Sequence, residues 1–536
     1  MFACYGLCSF PRFAYNILTT MKKIFLTLAL VLVLSGLQAG ALTIDVYHTS
    51  DVHGWYSARP ALWDNENSTR PIGGFPALAA LLKKEKNPYI LLDSGDMAQG
   101  TPEGILTKGM ASITLMNQLG YAAAIPGNHD YDNGEANLQV LISSAAFPFL
   151  GANLYYKGTD ANTVYLKPYT IIKKGGRKIA VLGLLGKHTA TSTLPSNVRH
   201  LDFHDEAAET AKWLPEIKKQ HPDAIIVLAH LGLSEGLSLK RVDISTWTFE
   251  PAPYGTLGVA RAARGVDLIL GGHNHAAFLK GYHDPLSGTW LAESGYGLSY
   301  VTKAELRFDD ATGKLAGIKV NLVPLWIDRT GQAPKVLKTI AGFNAAVERE
   351  MGKVVGSAAT DLNFAADGLD SGIGSWLCDI TREAAGADLA FQNTKALRAE
   401  LKKGDVRLRD LYQAMPFDNT IVTARLTGAQ VKQLMADNLK NGRSAIQVSG
   451  LRVEFSEGPG GPAAIRLTRD GREIGPEEEF LVATNNYLAF GGTGGNVFSG
   501  GKDIKDTMLP MRDVMKSAFS AGPVGAPEGG RIERLK

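Results

Sequence analysis

The sequence predicts an α/β fold: a layered sandwich around a largely buried sheet, followed by a second, smaller α+β domain. Three observations predict it. From residue 42 to about 325, short apolar, strand-like runs alternate with helical stretches; each run ends abruptly in Gly, Asp, Asn or His; and the 536-residue chain is longer than one core ordinarily spans, at roughly 100–200 residues per domain.

The runs are Leu42 to Tyr47, Tyr89 to Leu92, Ala122 to Pro126, Ile179 to Leu184, Ala224 to Leu228 and Asp267 to Leu270, separated by helical stretches such as Phe75 to Glu85, Met110 to Leu119 and Glu206 to Lys219. Lys335 to Lys353, after Pro334, reads as a connecting helix. The remainder mixes helices (Ser375 to Ala385, Ala429 to Asn438) with strands (Thr420 to Leu426, Leu451 to Phe455, Phe480 to Thr484). The division expected is 42–330 for the first domain, 331–353 for the linker helix, 354–520 for the second domain and 521–536, rich in glycine, for a flexible tail.

Ahead of these elements Lys22 and Lys23 follow Met21 and precede the apolar run Ile24 to Leu34 and the small residues Ala39-Gly40-Ala41. This order is that of a secretory signal peptide cleaved near Ala41, and the apolar run falls short of the roughly 20 residues that span a bilayer. Residues 1–20 then read as an upstream extension, with Met21 as the true start. A periplasmic or secreted protein with no membrane span after cleavage is expected. Losing residues 1–41 removes Arg12, Lys22 and Lys23 and no acids, taking the net charge from +3 to zero. A neutral chain lacks the positive field that a nucleic-acid partner requires. Cys4 and Cys8 lie in the lost segment, so Cys378 has no intramolecular partner and reads as a small buried apolar residue.

Five loops carry chemistry: Asp51-Val52-His53, Gly95-Asp96, Gly127-Asn128-His129-Asp130-Tyr131-Asp132, His230, and Gly272-His273-Asn274-His275. Each follows an apolar strand-like run, where open α/β sheets gather their reactive groups. A carboxylate, imidazole and carboxamide set of this kind suits two divalent transition metals, one carboxylate bridging them. Asp51 and His53 stand two apart, so their side chains can converge on one ion if the backbone turns there, and His273 and His275 have the same spacing. Gly54, Gly95, Gly127, Gly271 and Gly272 permit tight turns and leave room for an anion. His129 adjoins Asn128 and should point into the metal cleft, with Asp132, one turn on, orienting its ring and holding it protonated. His48 sits inside the first strand; with His188, His200, His204, His221 and His283 it is expected to ligate nothing.

These blocks resemble the calcineurin-like metallophosphoesterases, whose signature runs D-x-H, G-D, G-N-H-[DE], H, G-H-x-H. The resemblance implies a four-layer α/β sandwich, one metal on Asp51, His53, Asp96 and His275, and a second on Asp96, Asn128, His230 and His273, with Asp96 bridging. His129 and Asp132 match the catalytic pair of the 5′-nucleotidase branch, G-N-H-x-x-D. The second half resembles the 5′-nucleotidase and UDP-sugar hydrolase carboxy-terminal domain. There Asn393 to Arg398 occupies the place of N-G-G-G-I-R, Pro416-Phe417-Asp418-Asn419 matches P-F-x-N, and Asn486-Tyr487-Leu488-Ala489-Phe490-Gly491-Gly492-Thr493 stands where N-F-L-A-x-G-G-D is usual. Asn393, Arg398, Phe417, Asn419 and Tyr487 are thereby candidate substrate contacts: the two rings could sandwich a flat base, and Arg398 could fork onto a phosphate.

Departures bear on the substrate. Thr394, Lys395 and Ala396 replace glycines, Thr493 replaces a ribose-binding aspartate, and Leu369 stands in place of a phosphate-binding arginine. The function expected is an exported dinuclear-metal hydrolase of nucleotides or related phosphate esters, with two Zn, Mn or Co ions and attack by a hydroxide formed between them. UDP-sugar hydrolysis, 2′,3′-cyclic-nucleotide hydrolysis and a thiosulfohydrolase activity are the enzymatic alternatives. A non-catalytic extracellular binding protein has no need of His129 and Asp132, and an adhesive protein leaves the five loops unexplained. The protein is expected to be a monomer or homodimer, and the family resemblance implies that its two domains close about the linker.

Overall fold

The computed structural model describes residues 42–535 apart from 62, 65, 235–236, 251–253, 366 and 459–460. The expected signal peptide lies outside the described residues, and among the described residues no helix is long and apolar enough to cross a membrane.

The first half holds two sheets face to face. One has the strand order Leu315–Pro324, Tyr300–Phe308, Leu42–Thr49, Tyr89–Asp93, Ala123–Ala124; the other Tyr282–His283, Trp290–Glu293, Leu268–Gly271, Ala224–Ala229, Arg177–Leu184, Tyr169–Lys174. The apolar runs are continuous rather than alternating because both faces of these strands are covered. On Leu42–Thr49, Ile44 and Val46 enter the core between the sheets with Ile179, Val181, Ile226 and Leu270, while Tyr47 points the other way, into the core beneath the helices Phe75–Leu82 and Met110–Leu119. Helices Glu206–Lys218 and Gly255–Ala262 cover the second sheet from its far side. The result is helix, sheet, sheet, helix. The one charged side chain on the buried part of the first strand, Asp45, is matched by Lys303 at 2.9 Å.

The order of these strands decides where the chemistry sits. Leu42–Thr49 and Tyr89–Asp93 run parallel in the register Thr49↔Asp93, and so do Ala224–Ala229 and Leu268–Gly271. Their carboxyl ends therefore deliver the loops at Asp51, Asp96, His230 and His273 to one edge of the sandwich. The run expected over Ala122 to Pro126 is paired only at Ala123–Ala124, because Pro126 and Gly127 already belong to the turn.

Helix Pro334–Met351 follows, seating Val336 and Ile340 in the core of the first half. The second half is built on a five-stranded sheet, ordered Ile446–Ser449, Leu389–Asn393, Glu479–Asn485, Thr420–Thr427, Lys502–Pro510. Helices Gly372–Ala385 and Met511–Ala521 pack on one face, and Gly428–Asn438 on the other. Ser371 caps the first of these by accepting from Gly374 N at 3.0 Å. Cys378, inside that helix, is free and buried, and burial pushes its thiol well above the usual range, so it is an apolar filler.

The expectation of a loose tail is corrected here. Ile532–Arg534 pairs in parallel with Val453, Glu454 and Phe455, Ile532 is buried, and the Arg531 guanidinium forks onto Asp379, with both contacts at 2.8 Å. A run of glycines loosens only the approach; the apolar Ile532 and the forked Arg531 beyond it have partners waiting. Arg531→Met should lower the denaturant stability of the second domain by about 2 kcal/mol, since it strands the Asp379 carboxylate; an unchanged unfolding midpoint would show that the segment contributes nothing.

Candidate metal centre

The loops that follow the strands continue the pairing of the sheet. Asp51 N donates to Gly95 O at 2.9 Å, His53 N to Asp96 O at 3.0 Å and Gly54 N to Met97 O at 3.1 Å. The chain reverses its side chains by entering the left-handed region at non-glycine residues: Asp51 (φ 51°), His53 (48°), Asp96 (58°), His273 (73°) and His275 (60°). Each such residue costs about 1 kcal/mol or more. The turns bring Asp51 and His53 together beside His275 and send His273 to Asn128 in the other half.

What converges is a double cluster. In one half His53 Nε2 lies 3.1 Å from His275 Nε2 and 3.6 Å from Asp96 Oδ2, with His275 Nε2 at 3.7 Å from Asp51 Oδ1. In the other, Asn128 Oδ1 is 3.1 Å from His230 Nε2 and 3.0 Å from His273 Nδ1, and His230 Nε2 is 3.3 Å from Asp96 Oδ2. Asp96 Oδ2 thus serves both halves. Donors bound to one ion at about 2.1 Å are separated from each other by about 3.0–3.4 Å, close to the spacings found. Asp51, His53 and His275 form one possible ion-binding group and Asp51, Asp96 and His230 another.

Outer partners decide which atom each ligand presents. His53 Nδ1 is held by Gln99 O at 2.5 Å and His230 Nδ1 by Ser94 O at 2.7 Å, so each ring turns an Nε2 lone pair inward. Asn128 donates its amide to Ser192 O at 3.1 Å, which points its carbonyl oxygen at the cluster. Buried Asp130 accepts from the amides of Asp96, Met97 and Gly127 at 2.9, 3.0 and 2.8 Å, tying the Gly95-Asp96 and Asn128 loops together. At Gly127 a Cβ would stand 2.2 Å from Asp96 Oδ1.

The electrostatics fit a cationic occupant. Burial keeps His53 neutral, down to about 3, and holds His273 and His275 well below their ordinary value, leaving lone pairs free. Burial alone would raise the Asp96 carboxyl, but the imidazoles of His230 and His129 outweigh it and keep it ionised. His230, which burial alone would keep neutral, is driven up to about 10 by Asp96.

Beside the cluster, His129 Nδ1 meets Asp132 Oδ2 at 2.8 Å and its amide donates to Asp96 Oδ1 at 2.8 Å. Burial opposes charge on this ring, but Asp132 and Asp96 overcome it and raise its pKa. The second domain closes over the top. Phe417 tilts against His129 at 5.5 Å, Arg398 Nη2 approaches His129 Nε2 at 3.5 Å, and Gln99 donates to Pro416 O at 2.6 Å. The cavity left among His53, His129, Tyr296, Arg398 and Phe417 is about 10 Å³.

All nine candidates on the first domain, Asp51, His53, Asp96, Asn128, His129, Asp132, His230, His273 and His275, meet at this point; those on the second divide. Arg398 and Phe417 face the cluster. The Tyr487 hydroxyl instead donates to Thr191 O at 2.7 Å, Asn393 Oδ1 accepts from Asn485 at 2.9 Å, and Asn419 O accepts from Met511 N at 2.9 Å. Tyr296 was not foreseen: its ring lies 5.2 Å from His53 and 4.6 Å from His275, and no motif marks it. His188, expected to ligate nothing, lies with its ring 3.7 Å from that of His273 and tilted 31° to it and groups with His230 and His273 as a possible ion ligand; its position after Gly186 and Lys187, beyond a strand end, was the available signal. His48 reaches Ser94 Oγ at 2.9 Å. A larger open cleft of about 540 Å³ at Trp63, Arg70, Arg241 and Trp326 lies elsewhere, where Arg70 is paired with Asp328 and Arg241 with Asp64.

Comparison with known proteins agrees with this geometry. Residues 44–277 match the family described as calcineurin-like phosphoesterase, and residues 354–500 match the 5′-nucleotidase C-terminal domain. The chain belongs to the 5′-nucleotidase family of calcineurin-like phosphoesterases. As a member it is a metal-dependent phosphoester hydrolase, and its donor cluster suits the divalent ions that the family's chemistry requires. The chain is 26% identical to the protein UshA of Yersinia enterocolitica over 495 residues, 84% of this chain and 86% of that one. It is 26% identical to a 5′-nucleotidase of Vibrio cholerae over 503 residues, 84% and 85% of the two chains. Among solved structures, a 5′-nucleotidase precursor from Thermus thermophilus shares the fold with a TM-score of 0.79 at 23% identity, covering 92% of this chain and all of the other. A sulfate thiohydrolase, SoxB, from the same organism shares it at 0.71 and 17%, covering 92% and 96%.

Gly127→Ala should weaken metal binding by about ten- to hundredfold, the range for disturbed support of a ligand, because the added methyl displaces Asp96. Equilibrium dialysis followed by elemental analysis reads this directly; full metal content would mean that Asp96 does not bridge as the geometry has it.

Proposed function

We propose that the protein is an exported 5′-nucleotidase-like hydrolase that releases phosphate from nucleotides or related phosphate esters, using two divalent ions on Asp51, His53, Asp96, Asn128, His230, His273 and His275. The observation that carries this reading is the His129–Asp132 pair standing against the bridging Asp96, since a protein that only binds phosphate needs no proton donor there.

Bound divalent ions would lower the pKa of water towards neutrality and offset charge on the phosphoryl oxygens. The side chains supply the rest. Asp132 fixes the Nδ1 proton of His129, which turns Nε2 towards the gap beneath Arg398; from there the protonated ring donates to the leaving oxygen. Arg398, lying 5.4 Å above the Phe417 ring, offers a planar set of donors to the phosphoryl group. Phe417 and Pro416 exclude water from the reaction.

A gap of about 10 Å³ takes a single water at most. Substrate entry therefore requires the second domain to withdraw, a hinge rotation near the end of helix Pro334–Met351. Withdrawal frees the faces of Phe417 and Tyr487 for a flat base. A second reading has its own support: Leu369 packs against the apolar core of the second domain, and Thr493 Oγ1 is engaged by Thr191 O at 3.3 Å. Neither supplies the charge that a plain nucleoside 5′-monophosphate meets in the motif this chain resembles. This favours other esters, among them UDP-sugars, 2′,3′-cyclic nucleotides and thiosulfate-type esters.

Purified protein given AMP, UDP-glucose, 2′,3′-cyclic AMP and an aryl phosphate should release phosphate, and chelator should abolish release. His129→Ala should lower kcat by about 10²–10⁴-fold with the metal content intact. No turnover of any of the four by protein loaded with two ions would overturn the hydrolase assignment of this site. For export, amino-terminal sequencing of the protein recovered outside the cytoplasm should begin close to Leu42; a retained residue 21 would refute cleavage.

A further inference from the structure

Three consecutive residues between the strand Arg177–Leu184 and the helix Glu206–Lys218 touch three different parts of the site. Thr191 O accepts from the Tyr487 hydroxyl at 2.7 Å and from Thr493 Oγ1 at 3.3 Å, both on the second domain. Ser192 O accepts from the amide of Asn128 at 3.1 Å. Thr193 Oγ1, only 2% exposed, donates to Asp132 Oδ1 at 2.8 Å, opposite the oxygen that holds His129. The same segment sets the His188 ring beside that of His273 and, further on, Asn197 donates to the carbonyls of Tyr131 and Asp132 at 3.0 and 2.9 Å.

Thr189–Ser192 is a short helical turn, with the amides of Thr191 and Ser192 both returning to His188 O at 2.9 Å. Thr191 and Ser192 thus move as one turn, and Thr193, extended, follows it directly, one peptide beyond Ser192 and anchored on Asp132. We propose that residues 188–197 couple the seating of the second domain to the alignment of the His129–Asp132 pair. Tyr487 docks on Thr191, the turn carries its position to Thr193, and Thr193 is a positioning residue that holds Asp132. In the seated arrangement Tyr487 acts through its hydroxyl, whatever its ring does when the domains part. The proposal rests on the reading of His129 and Asp132 as the pair that serves the reaction.

The test is a double-mutant cycle on the full, metal-loaded chain with AMP and an aryl phosphate. Thr193→Val, which keeps the shape and loses the hydroxyl, should lower kcat by about ten- to hundredfold, the range for lost support of a site residue, with KM little changed, and Thr193→Ser should restore it. Tyr487→Phe should lower kcat with the ring retained. The double variant should fall no further than the weaker of the two singles. Effects that multiply would mean independent sites and overturn the proposal, as would a loss confined to KM, which marks a substrate contact. Hydrogen exchange supplies a reading that needs no turnover. Amides at 189–193 should exchange faster in Tyr487→Phe than in the parent, and unchanged exchange overturns the coupling even if turnover is found. A parent protein that hydrolyses nothing would remove the functional reading alone, leaving the exchange result to decide the coupling.

Discussion

The buried carboxylate of Asp96 is the point on which the rest of the site depends. One oxygen accepts the His129 amide at 2.8 Å; the other lies 3.3 Å from His230 and 3.6 Å from His53; its own amide is held by Asp130 and its carbonyl by His53 N. A carboxylate this deep is costly unless cations surround it. The fold supplies imidazoles from three separate strand ends, and Gly127 leaves the space in which they approach. Moving Asp96 would disturb both halves of the cluster and His129 together.

The cluster also explains where the backbone is strained. Left-handed φ values at Asp51, His53, Asp96, His273 and His275 are tolerable because the loops are locked to one another by main-chain hydrogen bonds and stand on two sheets with an apolar core between them. Rigid strands below and strained turns above preset the donors before any ion arrives. Among the described residues, the groups able to hold an ion all come from the first domain. The contribution of the second domain is enclosure, through Phe417, Pro416 and Arg398, and contact with the Thr191 turn.

Much of this was legible in the residues because strand ends in an α/β sandwich are both easy to see and the place where chemistry gathers. Continuous apolar runs marked the buried strands, and glycines beside Asp, Asn and His marked the turns. The left-handed backbone at His53 or His275 was not legible, since nothing in a histidine announces it. His188 and Tyr296 escaped notice because their neighbours come from loops far away in the chain. Thr193 looked like any polar loop residue until Asp132 was found against it. In the second half, motif letters located Arg398 and Phe417 but gave no sign of the Tyr487 hydroxyl contact with Thr191, which depends on how two domains meet. Composition misled at the carboxyl end: glycine content suggested freedom, and Arg531 and Ile532 take it away.

The closure over the cluster bears on ion traffic as well as on substrate. Phe417, Pro416 and Arg398 close on the side of the cluster formed by His53 and His129, leaving a gap of about 10 Å³ there. On the proposed hinge opening, loss of an ion through this side would be a sequential event, the domains parting before a donor lets go. In surroundings where competitors for transition metals are plentiful and supply is poor, such an order makes retention a matter of opening rate rather than of affinity alone. The lid over the reaction would in this way double as a kinetic seal for the ions that the reaction needs.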